Sequence, residues 1–298
     1  MVLVTLLWSL AGVVTRHLDA ARSFEVTFWR SLFNAVALAA FLTAMRGASF
    51  WVGLRRARWP LWLSGVCWAI MFTAFMVAIT LTTVANVLVT MAIGPLVTAL
   101  FARLLLRHAL PGRTWLAIVV AGLGIAWMFG AEARAGAVLL GTVVALAVPV
   151  AGAANWTVLQ FVARTSDGDN TPDMLPAVLI GAALSALATL PLGLPLRASA
   201  HDLGLLALLG VVQLAIPCLL VVRVSRTLPA PEIALLALLE VIFGVIWVWL
   251  GADERPPSGA LVGGLLVLGA LLANEALGWR GGDPRPPRSG PAAPRALP

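Results

Sequence analysis

Charge is scarce in this sequence. Only 11% of its 298 residues are Asp, Glu, Lys or Arg, against 61% hydrophobic residues. A soluble domain carries about 25% charged and about 45–50% apolar residues. One soluble core cannot hide so much apolar surface, so the solvent of this chain is a lipid bilayer. Lysine is missing altogether, and arginine carries the formal net charge of +7. Those arginines lie between apolar runs, where positive charge sets orientation. That placement argues against a nucleic-acid partner.

Cysteine is nearly absent too. Cys67 and Cys218 both sit inside apolar runs, which reads as two small buried hydrophobes rather than a disulfide or a thiolate metal pair. His17, His108 and His201 are scattered at span ends without ligand spacing, so no metal site is expected. The sequence has no Gly-rich phosphate loop and no assemblable Ser/His/Asp set. The reading is therefore a non-enzyme without a cofactor.

What is present is apolar length. Ten stretches of roughly 20 residues, each bounded by charge, Pro or Gly, are expected to span the bilayer. They fall at 2–18, 24–45, 60–81, 84–106, 114–130, 136–162, 174–195, 203–222, 232–250 and 259–279. All are expected to be helices, because lipid offers no partner to an unpaired backbone group. The third and fourth are joined by a tight turn in "TLTTVAN" (80–86). The N-terminus is apolar from Val2 with no basic leader or small-residue cleavage site, and reads as a retained first span. From Arg280 the tail is rich in Pro, Gly and Arg and is expected to be disordered (280–298). With the N-terminus inside, 14 arginines fall in inner loops and tail and 5 in outer loops, which selects two cytoplasmic termini. Trp51, Trp59 and Trp279 near span ends suit interfacial anchoring.

The two halves repeat each other. "WSLAGVVTR" (8–16) parallels "WTVLQFVAR" (156–164), "LWLSGV" (61–66) parallels "LALLGV" (206–211), and "LRHALPG" (106–112) falls on "ADERPPS" (252–258). The common spacing is close to half the chain, giving repeats at 1–130 and 136–279. Five spans per half is an odd number, so the second copy would enter the membrane from the opposite side. Inverted repeats with a site near the midplane are an architecture of secondary transporters.

These segments resemble the drug/metabolite transporter superfamily, in particular its EamA-type ten-span members. "TLPAPEIALLALLEVIFGVIWVWLGADERPPSGALVGGLLVLGALL" (227–272) is similar to the helix, Glu-containing loop and Gly-rich helix that end the family's half-repeat. "LTTVANVLVTMAIGPLVTALFARLLLRHALPGRTW" (81–115) resembles the first copy, "FWRSLFNAVALAAFL" (28–42) the Arg-containing second helix, and "LLWSLAGVVTRHL" (6–18) the opening. The resemblance places Glu240 on the family's helix carboxylate and Glu254 on its loop carboxylate. It implies export or exchange of small metabolites across the cytoplasmic membrane. The chain departs from the pattern at Val241, where Pro is usual, and at Gly94 and His108, where the first copy would carry acids. Only the second half keeps the helix carboxylate.

Candidate site residues follow from polarity inside spans. Glu240 lies about eight residues into the ninth span, about 12 Å deep at 1.5 Å per residue, near the middle of a ~30 Å core. A central charge costs about 2.5–3.5 kcal/mol on insertion scales, so it should face a cavity or a partner. It is either a proton-titrating or substrate-binding carboxylate, or a helix-packing hydrogen bond. Arg30 is either an anion-recognising group and partner of Glu240, or a side chain snorkelling outward. Trp8, Trp156, Trp68 and Gln213, the first two and the last two related by the repeat, suit a midplane cavity wall; lipid-facing or packing roles are the alternative. Asn86 and Asn155, with Asn34 and Gln160, are either cavity polar groups or interhelical hydrogen bonds. Pro149 and Pro217 should kink the sixth and eighth spans.

The expected partners are the bilayer and a small-molecule substrate, with a proton or counter-substrate as coupling species. A membrane scaffold, a membrane-embedded enzyme and a passive channel are the rivals; the sequence leaves substrate and oligomeric state open. A reporter fused after Arg280 should report a cytoplasmic C-terminus, and a periplasmic signal would overturn either the span count or the orientation.

Overall fold

The fold comes from a computed structural model, which describes residues 1–106, 111–134, 139–165, 173–224 and 230–280. The expected tail beyond Arg280, the loop residues Arg107 and His108, and Arg226 lie outside the described residues, as does the Gln160 side chain. Every regular element among the described residues is helical. In chain order they are α1 (Val2–Trp8), α2 (Leu10–Thr15), α3 (Ser23–Arg46), α4 (Ser49–Arg55), α5 (Trp59–Leu81), α6 (Val84–Met91), α7 (Gly94–Leu106) and α8 (Gly112–Arg134). Then follow α9 (Leu140–Ala145), α10 (Ala147–Thr165), α11 (Leu175–Gly193), α12 (Ala200–Leu208), a π-helical stretch (Leu209–Ala215), α13 (Ile216–Val224), α14 (Ala230–Gly251) and α15 (Ser258–Arg280).

Among the described residues, seven helical stretches are long and apolar enough to cross a membrane, including Trp59–Leu81, Ala200–Val224 and Ser258–Gly278. Shorter apolar helices occupy Val2–Thr15, Gly112–Met128 and Leu239–Gly251, where the first, fifth and ninth spans were expected. The short α4, with Trp51 and Val52 exposed, was not expected; its seven residues are too few to span and fall in an Arg-rich loop.

Several expected spans are broken, and proline explains three breaks. Proline lacks the N–H that would bond the carbonyl four residues earlier, and its ring crowds that carbonyl. Pro95 stands four residues after Met91, where α6 ends. Pro149 stands four after Ala145, where α9 ends. Pro217 stands four after Gln213, inside the π-helical stretch that absorbs the misfit. The break at Ser9 has no proline. There the Ser9 hydroxyl donates to the Leu6 carbonyl at 2.7 Å.

Successive turns meet at alternate ends of the bundle. At one end Arg16 pairs with Glu254, the Asp19 amide with Asp202, and the Arg197 amide with Glu25. At the other, Arg46 pairs with Asp173, Trp59 packs on Phe161 with centroids 5.9 Å apart, and Thr114 donates to Asn274 at 3.0 Å. These are called below the Glu254 end and the Asp173 end. The expected tight turn is observed: α5 and α6 are separated by Thr82 and Thr83 alone, and Thr83 caps α6 by accepting from the Asn86 amide.

Helices α8 and α15 pack through glycine. Gly259 and Gly263 are four apart on α15, a spacing that lets backbones approach closely in lipid. A Cβ added at Gly263 would lie 2.7 Å from the Gly124 carbonyl oxygen, whereas one at Gly269 meets nothing within 4 Å. Gly263→Ala is therefore expected to destabilise the protein by about 1–3 kcal/mol through overpacking. Gly269→Ala should be neutral, or stabilising by up to about 1 kcal/mol from helix propensity. Thermal unfolding of the two variants in one detergent checks the contrast.

Candidate functional site

A guanidinium lies buried among the helices. Arg30 of α3 is 2% exposed, so it does not snorkel to an interface. Its Nε and Nη2 donate to the Gln213 side-chain oxygen at 3.3 and 2.8 Å. Gln213 sits in the π-helical stretch, and its Nε2 donates to the Trp8 carbonyl at 2.9 Å. Trp8 is the last residue of α1, directly before the break at Ser9, and helix breaks free carbonyls for such contacts. One amide thus joins the two broken segments and holds the guanidinium in one orientation. The Phe75 ring stands 5.8 Å from the Arg30 carbon, near enough for a cation–π contact. The remaining nitrogen, Nη1, is buried without a hydrogen-bond partner among the described residues.

That arrangement borders a cavity of about 80 Å³ lined by Trp8, Arg30, Trp68, Phe75, Gln213 and Glu240, among others. Glu240, on α14, is 9% exposed and forms no ion pair with Arg30. Gln213 has already taken one edge of the guanidinium, so the two charges face the same space separately. A neighbouring space of about 130 Å³ shares Trp8 and Glu240 and adds Trp156, Gly94, Pro95 and Pro149. Trp68 and Trp156 meet edge to face, with centroids 6.3 Å apart.

Six of the eight expected site residues therefore come together: Glu240, Arg30, Trp8, Trp68, Trp156 and Gln213. The other two lie elsewhere. Asn155 is buried and accepts from the Ser64 hydroxyl at 2.6 Å, joining α10 to α5. Asn86 lies in the first turn of α6, at the Glu254 end, and donates to Thr82 Oγ1 at 3.2 Å. The Asn155 contact is interhelical, as its alternative reading described, whereas the Asn86 contact with Thr82 is local to the α5–α6 turn. Sequence reasoning missed Phe72 and Phe75 as cavity walls, although Trp68, Phe72 and Phe75 fall at i, i+4 and i+7 on α5, one helix face. It also read Cys218 only as a buried hydrophobe, whereas the thiol lines the cavity.

Asp19, His201 and Asp202 approach one another at the Glu254 end closely enough to hold a cation. Asp202, however, already accepts from the amides of Asp19, Ala20, Ala21 and Ser199 at 2.7–3.1 Å. Its oxygens are aimed at peptide N–H groups, and it serves as a staple between the chain after α2 and α12.

Residues 1–130 match the family model of the EamA-like transporter family. The match covers less than half of the chain. The match takes in Trp8, Arg30 and Trp68, while Gln213 and Glu240 lie beyond it. No curated protein matches the chain in sequence. A solved crystal structure of a protein is similar over 94% of this chain and 96% of its own, with a TM-score of 0.62 at 20% identity. That likeness is one of fold.

The geometry makes Gln213 the support of Arg30. Gln213→Leu should leave the buried guanidinium without an acceptor and destabilise the protein by about 1–3 kcal/mol. The check is the thermal unfolding midpoint, with Gln213→Glu, which restores an acceptor, recovering part of the loss.

Proposed function

We propose that this EamA-like protein is a secondary carrier, an exporter or exchanger that moves a small organic metabolite across the cytoplasmic membrane by alternating access. The observation that carries this reading is the pair of buried ionisable side chains, Arg30 and Glu240, lining one small aromatic-walled cavity inside the helix bundle. Charges inside a bilayer are costly and mark substrate or ion pathways. The Arg30 guanidinium offers a positive charge to an acceptor group on the substrate, and Trp8, Trp68 and Phe75 offer apolar surface to its body.

On this reading the chain crosses the membrane ten times, as two inverted five-helix halves, with both termini in the cytoplasm. The alternation of turns between the Glu254 end and the Asp173 end supports the count. The arginine distribution supports the orientation. Broken helices around the cavity, at Ser9, after Met91, at Leu146 and over Leu209–Ala215, are the feature expected where irregular backbone lines a binding site. Glu240 is the coupling carboxylate: its proton or its charge balances Arg30 when the cavity is loaded or empty.

Glu240→Gln keeps the shape and removes the titrating group. It should leave insertion and thermal stability near the parent's while abolishing the pH dependence of transport. Uptake with an unchanged pH profile would make Glu240 structural. A thermal-shift screen against amino acids, nucleosides and quaternary amines supplies the transport ligand, since a ligand of the folded state raises apparent stability.

A further inference from the structure

Two kinds of contact join the turns at the Glu254 end. One kind is dry. Asp202, fully buried, binds four peptide N–H groups, and Glu25, 2% exposed, accepts from the Arg197 and Ala198 amides at 2.6 and 2.7 Å. Asp202 ties the chain after α2 to α12, and Glu25 ties the start of α3 to the segment joining α11 and α12. The other kind is wetter. Arg16 Nε donates to Glu254 Oε2 at 2.6 Å, with side-chain exposures of 28% and 18%. We propose that the Arg16–Glu254 pair is the latch of the cavity's mouth at this end, and that the dry carboxylates are the fixed side against which it opens. The proposal rests on the carrier reading above.

The latch is built on helix ends. Arg16 also donates to the carbonyls of Ile79 and Thr82 at 2.9 and 3.0 Å, the C-terminal end of α5. Glu254 accepts from the Val84 amide at 2.8 Å, the first N–H of α6. Each charge therefore meets the helix terminus of opposite partial charge, and together they straddle the two-residue turn. The pair also joins the two halves of the chain, since Arg16 ends α2 and Glu254 lies between α14 and α15. Water reaches both side chains, so the contact breaks at a lower cost than a fully buried ion pair would.

Directly beneath lies the seal. A Cβ added at Gly12 of α2 would stand 2.6 Å from Val84 Cγ1 and 2.9 Å from Val248 Cγ2, so α2, α6 and α14 touch there without a gap. One turn further along α6, Leu88 lines the larger cavity beside Glu240. Latch, seal and cavity are thus stacked along one path. Across the cavity from Leu88, a Cβ added at Gly94 would find its nearest atom, of Pro149, at 3.9 Å, so the cavity wall there is open where the seal is tight.

Double electron–electron resonance tests this in a background with Cys67→Ala and Cys218→Ala. Spin labels go on His17→Cys and Arg255→Cys, both at exposed positions flanking the latch. The parent should give one short-distance population. Arg16→Gln and Glu254→Gln should each add a longer population, raising the open fraction roughly tenfold, as loss of charge-assisted hydrogen bonds implies. The double variant should add little more, because both changes remove one shared contact. Glu254→Gln keeps an oxygen for the Val84 amide, so it decides the matter if Arg16→Gln does not fold. Unchanged distances in monodisperse Glu254→Gln would overturn the latch, and would do so whether or not the parent carries flux. Flux is read separately, so loss of the carrier reading would leave these distances interpretable.

Discussion

The bundle depends on how it accommodates one guanidinium. Arg30 is buried in an apolar helix packing where an unpartnered charge would cost several kcal/mol. A carboxylate would neutralise it, but a direct ion pair with Glu240 would also consume both charges. Gln213 resolves the conflict with a neutral acceptor. It orients the guanidinium and leaves Glu240 free to line the same cavity. The arrangement needs irregular backbone on both sides: a carbonyl at the end of α1 to receive the Gln213 amide, and a π-helical stretch that carries Gln213.

From that centre the remaining features follow in layers. Helix breaks cluster around the cavity, and proline sets three of them at a fixed offset of four residues. Above the cavity, small residues and β-branched side chains close α2, α6 and α14, and the Arg16–Glu254 pair caps the closure. Away from the cavity the bundle is held by close helix crossings as well as by polar pairs such as Ser64–Asn155 and Thr114–Asn274. The glycine-lined crossing of α8 and α15 is the clearest, and its outward faces carry residues such as Leu123 and Leu265, exposed as lipid-facing side chains are.

Much of this was legible in the sequence, for definite reasons. Helix positions could be read because a bilayer permits few alternatives and marks boundaries with charge. Glu240 and Arg30 stood out because a charge in an apolar run has to be explained, and both line the cavity. Gln213 was found through its repeat relation to Trp68. Its partner was not, since spacing carries no information on which carbonyl a helix break will free. Asn86 and Asn155 have the same composition signal as Gln213, but Asn155 bonds Ser64 of a neighbouring helix and Asn86 bonds Thr82 in its own turn, because polarity alone does not say which way a side chain points. The Arg16–Glu254 pair was invisible for a related reason. Arg16 counted toward orientation and the repeat and Glu254 as a loop acid, and their meeting joins positions 238 residues apart. The short α4 escaped because an Arg-rich loop masks seven helical residues.

The central claim is that Arg30 and its cavity form a transport site. Counterflow in proteoliposomes tests it most directly, using the labelled compound that most raises thermal stability. The account predicts uptake that saturates and is accelerated by the same compound on the far side, with Arg30→Gln inserting normally but losing the saturable component. Flux that rises linearly without saturation, or saturable exchange undiminished in Arg30→Gln, would contradict it.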